Sequence, residues 1–347
     1  MSTLLKIEDL NVGFRTEDGV VQAVRGVDLT VDDGDVLAIV GESGSGKSVT
    51  ALSVLGLHPT GRTTVSGRIE WNGENLVTAS DERMRQVRGG EIAMIFQDPL
   101  SALNPVYTVG RQIMEMVRAH GDVSKAAARE RAIEMLALVG IPQPKRRVDN
   151  YPHEFSGGMR QRAMIAMALS CEPKLVIADE PTTALDVTVQ AQVLDLLVEV
   201  TQRQGAAVML ITHDLGVVAG MAKKVAVMYA GKVVEEATSD QLFDAPTHPY
   251  TIGLLRSLPR VDADGSEKLL PIGGQPPSML SPPPGCAFHP RCPIAQSEAG
   301  CDTEVPSLHS QPVSIVTGAA GPASDRDHGV ACWRRDEVPT LLGVVHS

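Results

Sequence analysis

One octapeptide, GESGSGKS at residues 41–48, constrains this chain more than any other feature. It fits the pattern G-x-x-x-x-G-K-[ST], and it stands between an apolar run, DVLAIV at 35–40, and a helical stretch from Lys47 to about Leu57. Such a loop lets backbone N–H groups surround phosphate oxygens, and the helix N-terminus adds positive potential. The alternative is a glycine-rich turn without a ligand. The predicted strand and helix on either side favour a phosphate site.

A phosphate loop needs a metal ligand and a group that activates water. Lys47 can reach the outer phosphates, and Ser48 can ligate Mg²⁺. The segment LVIADE predicts a buried strand that ends in Asp179, which can hold Mg²⁺ through water. Glu180 follows directly and could polarise the attacking water. The alternative is that both carboxylates only solvate a strand end.

The rest of the chain predicts an α/β fold. Apolar runs at 91–96, 174–180 and 206–212 are typical of buried strands, and helical patterns follow Ser124 and Ser156. Strands that alternate with helices imply a mostly parallel sheet. Residues 4–40 predict short strands joined by turns. The composition becomes rich in Gly and Pro after about residue 258, where we place a domain boundary.

Charge and hydropathy argue against several classes of protein. The chain has 31 basic and 42 acidic residues, whereas nucleic-acid binders usually carry a basic face. No apolar run approaches the roughly 18 residues that a membrane-spanning helix needs. The N-terminus MSTLLKIEDL lacks the long apolar core of a signal peptide. We therefore expect the chain to stay in the cytoplasm and to reach a membrane only through a partner.

A second glycine-containing turn, SGGMRQR at 156–162, suggests a second anion site. Ser156 would cap a helix, and the two glycines would let the backbone approach an anion closely. One triphosphate does not need two helix N-termini from one chain. The turn would therefore suit a phosphate that another chain presents, although an isolated SGG turn is usually only a helix cap.

With these motifs in order, the chain resembles an ATP-binding-cassette ATPase. GESGSGKS matches that family's phosphate loop, SGGMRQR its signature, LVIADEP its second phosphate-site strand, TTALD its dimer-contact loop, ITHDL its switch histidine and IFQDP its glutamine loop. The resemblance implies an α/β cassette fold with a mixed sheet core, an antiparallel β subdomain and a helical subdomain at about 98–170. Residues 1–257 would form this domain, and 258–347 a cysteine-containing C-terminal extension.

The resemblance also implies roles for individual residues. Gln97 would sense Mg²⁺ and water, and His213 would bind the γ-phosphate and hold Glu180 and the water in line. Asp186 would lie at a dimer contact, and Phe14 would stack on adenine. The remaining ATP contacts would come from Gly41, Ser43, Gly44, Ser45, Gly46, Lys47, Ser48 and Val49. The signature residues facing a partner's ATP would be Ser156, Gly157, Gly158 and Gln161.

A finer resemblance covers nearly the whole chain. The segments YPHEFSGGMRQRAMIAMAL, HPYTIGLLRSLP and GCAFHPRCP are similar to the D-type ATPase of oligopeptide and dipeptide importers. This implies a peripheral subunit at the cytoplasmic face of the inner membrane. Its partners would be two permease subunits, an extracytoplasmic substrate-binding protein and a second cassette subunit, either F-type or another copy.

Other functions remain open from the sequence alone. The cargo could be nickel, a sugar oligomer or an opine, which relatives of the same class carry. A soluble cassette that remodels RNA or ribosomes is disfavoured by the acidic charge and by the single copy of each motif. A third possibility is a redox sensor in which ATPase activity is secondary.

The C-terminal extension holds four of the chain's five cysteines, at 286, 292, 301 and 332. Disulfides are disfavoured in a reducing cytoplasm, and the spacing lacks both the paired cysteines of common zinc sites and the dense ferredoxin run. The residues therefore predict four thiolates around one unspecified metal, with four inert thiols as the alternative. The resemblance favours a [4Fe–4S] cluster over zinc, because D-type ATPases with this tail include cluster-bearing members. The fifth, Cys171, is expected to be an inert core thiol.

Overall fold

Strands and helices alternate between residues 175 and 229, as the sequence predicts. The computed structural model describes residues 2–182, 187–258, 271–310 and 328–342. The β-strands are β1 (Thr3–Thr16), β2 (Gly19–Asp32), β3 (Val36–Val40), β4 (Thr63–Trp71), β5 (Glu74–Asn75), β6 (Ile92–Ile95), β7 (Leu175–Asp179), β8 (Ala207–Thr212), β9 (Lys224–Tyr229), β10 (Lys232–Thr238), β11 (His309–Ser310) and β12 (Gly329–Val330). The α-helices are α1 (Lys47–Val54), α2 (Asp81–Gln86), α3 (Pro99–Ala102), α4 (Val109–His120), α5 (Lys125–Leu138), α6 (Pro144–Arg147), α7 (Gly157–Leu169), α8 (Val187–Gln204), α9 (Leu215–Val218), α10 (Ser239–Asp244), α11 (Pro249–Arg256) and α12 (Val338–Leu342).

The strands form two sheets. The smaller sheet is antiparallel and has the order β2-β1-β4-β5. The larger has the order β11-β12-β10-β9-β3-β8-β7-β6; the strands from β9 to β6 run parallel, and β10 runs antiparallel to β9. The mixed sheet, the antiparallel β subdomain and the helices α3 to α7 between β6 and β7 confirm the predicted fold class.

Both faces of the parallel sheet are covered, which explains the continuous apolar runs in its strands. In β3, Val36, Ala38 and Val40 pack into the core on the helical side, whereas Leu37 and Ile39 pack into the core beneath the antiparallel sheet. All five of these residues are buried. The carboxyl ends of β3, β8, β7 and β6 therefore lie side by side at one edge of the sheet. Parallel sheets usually bind ligands at this edge.

The N-terminal strands are longer than the sequence predicts. Instead of several short strands, β1 and β2 are 14 residues each and form one hairpin. Register shifts interrupt the hairpin between Ile7 and Leu10, where Asp9 has a φ of 45°. Such bulges break the apolar–polar alternation, so one long strand looks like two short ones in the sequence.

The C-terminal extension contributes to the large sheet. β12 pairs with β10 through Val330, and a buried network fixes this pairing. Fully buried Glu235 accepts hydrogen bonds from the backbone N–H groups of Thr247 (2.7 Å) and His248 (3.0 Å), and its Oε1 lies 2.8 Å from His328 Nε2. Burial alone would raise the pKa of Glu235, but the contacts with His328 and Thr247 bring it below its usual value. The ionised carboxylate therefore ties the extension to the cassette.

In the described residues, no helix is both long and apolar enough to cross a lipid bilayer.

Candidate nucleotide site

The glycine-rich loop joins β3 to α1, as the motif predicts. Gly41 and Gly46 have φ angles of 153° and 103°. A Cβ on Gly41 would lie 2.2 Å from the carbonyl oxygen of Met228, and one on Gly46 would lie 2.6 Å from that of Ala23. Only glycine fits these positions, because the neighbouring backbone leaves no room for a side chain. The loop is thereby shaped to present backbone N–H groups above the start of α1.

Lys47 begins α1 and is buried within the loop. Its Nζ donates to the carbonyl oxygens of Gly41 (2.8 Å) and Glu42 (3.0 Å). Burial lowers the pKa of Lys47, and the carboxylates of Glu180, Asp179 and Glu42 oppose that shift. The ammonium group is thus positioned inside the loop, where it can exchange carbonyl partners for phosphate oxygens.

Ser48 and Asp179 form a pair of oxygen ligands beside this loop. The Ser48 hydroxyl on α1 donates to Asp179 Oδ1 at the end of β7 over 2.9 Å. Burial raises the pKa of Asp179, and the hydrogen bond from Ser48 opposes that shift. A hydroxyl and a carboxylate side by side are the type of ligands that Mg²⁺ prefers, so the residues fit the predicted ion.

Three polar side chains converge at the ends of β6, β7 and β8. Gln97 Nε2 donates to Glu180 Oε2 over 3.1 Å, and His213 Nδ1 lies 3.3 Å from the same oxygen. Glu180 adopts a φ of 44°, a left-handed conformation that is uncommon outside glycine. Strain of this kind persists where the surroundings enforce it, and it is concentrated at functional sites. The structure thus brings together residues that lie 83 and 33 positions apart in sequence.

The SGG turn begins α7 and faces outward. The Ser156 hydroxyl accepts a hydrogen bond from the N–H of Met159 (3.3 Å), so it caps the helix as predicted. Ser156 and Gly157 are exposed. Gln161, by contrast, is only 1% exposed, and its Nε2 has no hydrogen-bond partner among the described residues. The turn can therefore meet an external anion, whereas Gln161 does not reach the surface.

The other predicted contacts lie around the loop. Ser43 and Gly44 are exposed, and Val49 is partly buried on α1. Phe14 on β1 is partly buried, and its ring meets His58 edge-on with centroids 5.6 Å apart. The stacking role of Phe14 stays a prediction. Asp186, predicted at a dimer contact, lies outside the described residues.

The four cysteines of the extension line one small cavity, together with His248 and Phe288. Burial raises the pKa of the Cys286 thiol. It also raises the pKa of Cys292 to about 11 and that of Cys332 to about 12. Within the described ranges, however, no three His, Cys, Asp or Glu side chains stand close enough to hold a metal ion. The fold thus gathers the thiols without placing them at ligating distances.

Cys171 lies apart from this cavity, in the helical part of the chain. It is partly buried, and its Sγ lies 3.7 Å from the carbonyl oxygen of Met116. Burial raises the pKa of its thiol, which keeps the group protonated and poorly reactive.

Sequence reasoning missed two residues that touch the phosphate loop from outside the cassette motifs. Tyr250 Oη accepts a hydrogen bond from the N–H of Glu42 (2.8 Å), and Arg291 forms an ion pair with the Glu42 carboxylate (2.6 Å). Both lie in segments that the resemblance singled out, HPYTIGLLRSLP and GCAFHPRCP. Neither the spacing nor the composition of those segments indicates what they contact.

Two parts of the chain match known protein families. Residues 24–183 match the ABC transporter family, and residues 234–301 match the oligopeptide/dipeptide transporter C-terminal region. The chain is 52% identical to a probable peptide ABC transporter ATP-binding protein, y4tR, of Sinorhizobium fredii, over 97% of each chain. It is 51% identical to the dipeptide transport ATP-binding protein DppD of Bacillus subtilis, over 97% of this chain and 96% of the relative.

The fold is also similar to that of a solved ATP-binding cassette. A dimeric ATP-binding cassette in a post-hydrolysis state with ADP and Pi, MJ0796, matches with a TM-score of 0.60 and 26% identity. The match covers 68% of this chain and 99% of that cassette. With its phosphate loop, carboxylate pair and converging glutamine and histidine in place, the chain belongs to the ABC transporter ATPases, and its C-terminal part belongs to the oligopeptide/dipeptide transporter family.

Proposed function

We propose that this ATPase powers the import of di- or oligopeptides through a membrane permease complex. The observation that carries the ATPase assignment is the convergence of Gln97 and His213 on Glu180, beside the pair of Ser48 and Asp179. The peptide cargo is supported by the C-terminal region that matches peptide transporters and by the names of relatives at 51% and 52% identity.

Each site residue has a separate role in hydrolysis. Lys47 and the loop N–H groups bind the phosphates, and Ser48 and Asp179, with Gln97, would hold Mg²⁺, which neutralises phosphate charge. Glu180 polarises the attacking water. His213 contacts the γ-phosphate and keeps Glu180 in line. Positioning and charge stabilisation supply most of the catalysis in this type of reaction.

The partners follow from the same proposal. Two integral-membrane permease subunits, an extracytoplasmic substrate-binding protein and a second cassette subunit would complete the transporter. The second cassette is either an F-type homologue or another copy of this chain. The ATPase would lie peripherally on the cytoplasmic face of the inner membrane, and closure of the two cassettes on ATP would drive the permease.

Uptake by cells tests the cargo. Cells that lack this gene should lose uptake of a radiolabelled dipeptide or oligopeptide, and the wild-type gene should restore it. Uptake of ⁶³Ni²⁺ and of a labelled sugar oligomer should be unaffected. Loss of nickel or sugar uptake with normal peptide uptake would contradict the peptide assignment and would favour the alternative cargo.

We further propose that each ATP site is completed by the SGG turn of a second cassette. The exposed turn at Ser156 and Gly157 supports this, because the described residues show no hydrogen bond between it and the chain's own phosphate loop. The predicted dimer contact at Asp186 belongs to the same proposal.

Gly157→Asp tests this composite site. A carboxylate at the start of α7 should repel phosphate. In the assembled transporter, photolabelling of the partner cassette by 8-azido-ATP should therefore decrease, whereas photolabelling of this chain should persist. Gly220→Asp is a matched control, since Gly220 is exposed and a Cβ there meets nothing within 4 Å. Labelling that is lost only from the mutated chain, or unchanged ATPase activity at any protein concentration, would refute the composite site.

We propose, finally, that Cys286, Cys292, Cys301 and Cys332 bind one metal centre, a [4Fe–4S] cluster with zinc as the alternative. Support comes from the cavity that all four cysteines line. A metal would have to displace the protons of these thiols when it binds. Binding would have to draw the thiols closer together. The described residues of the extension form only short helices and strands. A cluster that joins four distant points of this segment would stabilise it, so its role would be structural or regulatory.

Anaerobic purification tests the cluster. The protein should be brown and should contain about four irons and four sulfides per chain. Cys292→Ser should lose most of the iron, whereas Cys171→Ser should keep it. Stoichiometric zinc without iron would select the alternative, and metal-free protein prepared without air would exclude both.

A further inference from the structure

An ion pair joins the cysteine-bearing extension to the phosphate loop. Arg291 Nη1 donates to Glu42 Oε2 over 2.6 Å, and Arg291 Nη2 donates to Glu42 Oε1 over 3.1 Å. Glu42 is the second residue of the loop, and Arg291 directly precedes Cys292. The Arg291 side chain is only 4% exposed. Two-point arginine–carboxylate pairs of this kind are among the strongest and most directional hydrogen-bonded contacts in proteins.

The surroundings fix the arginine in place. Its guanidinium also donates to the carbonyl oxygens of Gly273 (2.9 Å) and Ile272 (3.3 Å) and to Tyr229 Oη (3.2 Å). The Tyr229 ring packs edge-on against Phe288, which lines the cysteine cavity. Arg291 is therefore held by the extension, through Gly273 and Ile272, and also by the cassette, through Tyr229.

Glu42 is held at three points. Its N–H donates to Tyr250 Oη (2.8 Å), its carbonyl oxygen accepts from Lys47 Nζ (3.0 Å), and its carboxylate binds Arg291. Two of these three contacts come from residues that follow the last strand of the parallel sheet. The carboxylate also adds negative charge to a loop that must accept a polyanion, and Arg291 neutralises that charge.

We propose that Arg291 is a positioning residue of the ATP site, through which the cysteine-bearing extension sets nucleotide affinity. The inference rests on the proposed role of the phosphate loop. When Arg291 holds Glu42, the loop is kept in its binding conformation and the local charge is balanced. The coupling is reciprocal, because nucleotide that favours the held loop must also favour the ordered extension.

Nucleotide affinity of charge variants provides the first test. Arg291→Gln should weaken binding of MgAMP-PNP by about tenfold or more, since it leaves Glu42 charged and unpaired. The double variant Glu42→Gln/Arg291→Gln should recover most of that loss. Arg291→Lys keeps the charge without the two-point geometry and should fall between. At saturating ATP, the kcat of Arg291→Gln should change by less than about threefold, because the residue does not touch the reacting atoms.

Arg334→Gln is the matched control. Arg334 is also buried in the extension and lines the cysteine cavity, but its ion pair is with Glu337 at 2.6 Å. Its loss should leave nucleotide affinity within about twofold of wild type. An equal effect of both arginine variants, or losses in Glu42→Gln and Arg291→Gln that simply add, would show a general structural role and overturn the proposal.

Hydrogen exchange of the wild-type protein tests the coupling without any variant. MgAMP-PNP should slow amide exchange in the peptide 284–293, and Arg291→Gln should abolish this response. If MgAMP-PNP does not change the amide exchange rate of this peptide in the wild-type protein, the proposal is overturned. Lys47→Ala distinguishes failure of this proposal from failure of the phosphate-loop assignment. If Lys47→Ala leaves MgAMP-PNP binding intact, the phosphate-loop assignment is the one that fails.

Discussion

Glu180→Gln should bind MgATP normally and hydrolyse it at least about 10²-fold more slowly. The change keeps the size and shape of the side chain but removes the negative oxygen that polarises water. Glu180 Oε2 is the atom that Gln97 and His213 both approach, so the charge is lost where three side chains meet.

Two measurements separate binding from chemistry in this variant. Equilibrium binding of MgATP should match wild type, while the steady-state rate of phosphate release should collapse. Glu82→Gln is a suitable control, because Glu82 is 74% exposed and its ion pair among the described residues is with Arg85, also on α2. Turnover near the wild-type rate in Glu180→Gln would mean that another group activates water.

Lys47→Ala should act at an earlier step, by weakening nucleotide binding itself. The Lys47 ammonium is buried and already bonded to two loop carbonyls, so it is positioned before ATP arrives. Loss of hydrogen bonds from a charged group to phosphate should raise the Kd for MgATP by about 10- to 100-fold.

Direct titration with MgATP and with MgADP would measure this effect. The loss should be larger for MgATP, because Lys47 is placed to reach the outer phosphates. Lys145→Ala, at an exposed position on α6, should bind both nucleotides as wild type does. Tight MgATP binding by a folded Lys47→Ala protein would contradict the assignment of the loop.

The sequence predicts the cassette well because its signals are local. A glycine loop between a strand and a helix, serine caps at Ser124 and Ser156, and carboxylates at a strand end all depend on adjacent residues. Parallel topology then brings Gln97, Glu180 and His213 to one edge, since each follows one of three neighbouring strands. Few long-range contacts therefore have to be assumed in order to predict this part of the fold.

The extension shows the opposite case. Its four cysteines predict a shared site, yet the pairing of β12 with β10 and the contact of Arg291 with Glu42 depend on distant residues. The Arg291–Glu42 pair spans 249 positions, and no local pattern in PGCAFHPRCP indicates its partner. Only the folded chain shows that a segment distinguished by its thiols also reaches the phosphate loop.

The most direct test of the central claim uses the whole transporter. Proteoliposomes that contain the two permeases, the partner cassette and this chain should hydrolyse ATP slowly until the peptide-loaded binding protein is added. Peptide should then accumulate inside while the ATPase rate rises, and Glu180→Gln in this chain should reduce both together. ATP hydrolysis by wild-type complex that stays unchanged by peptide-loaded binding protein, with no peptide accumulation, would contradict the account.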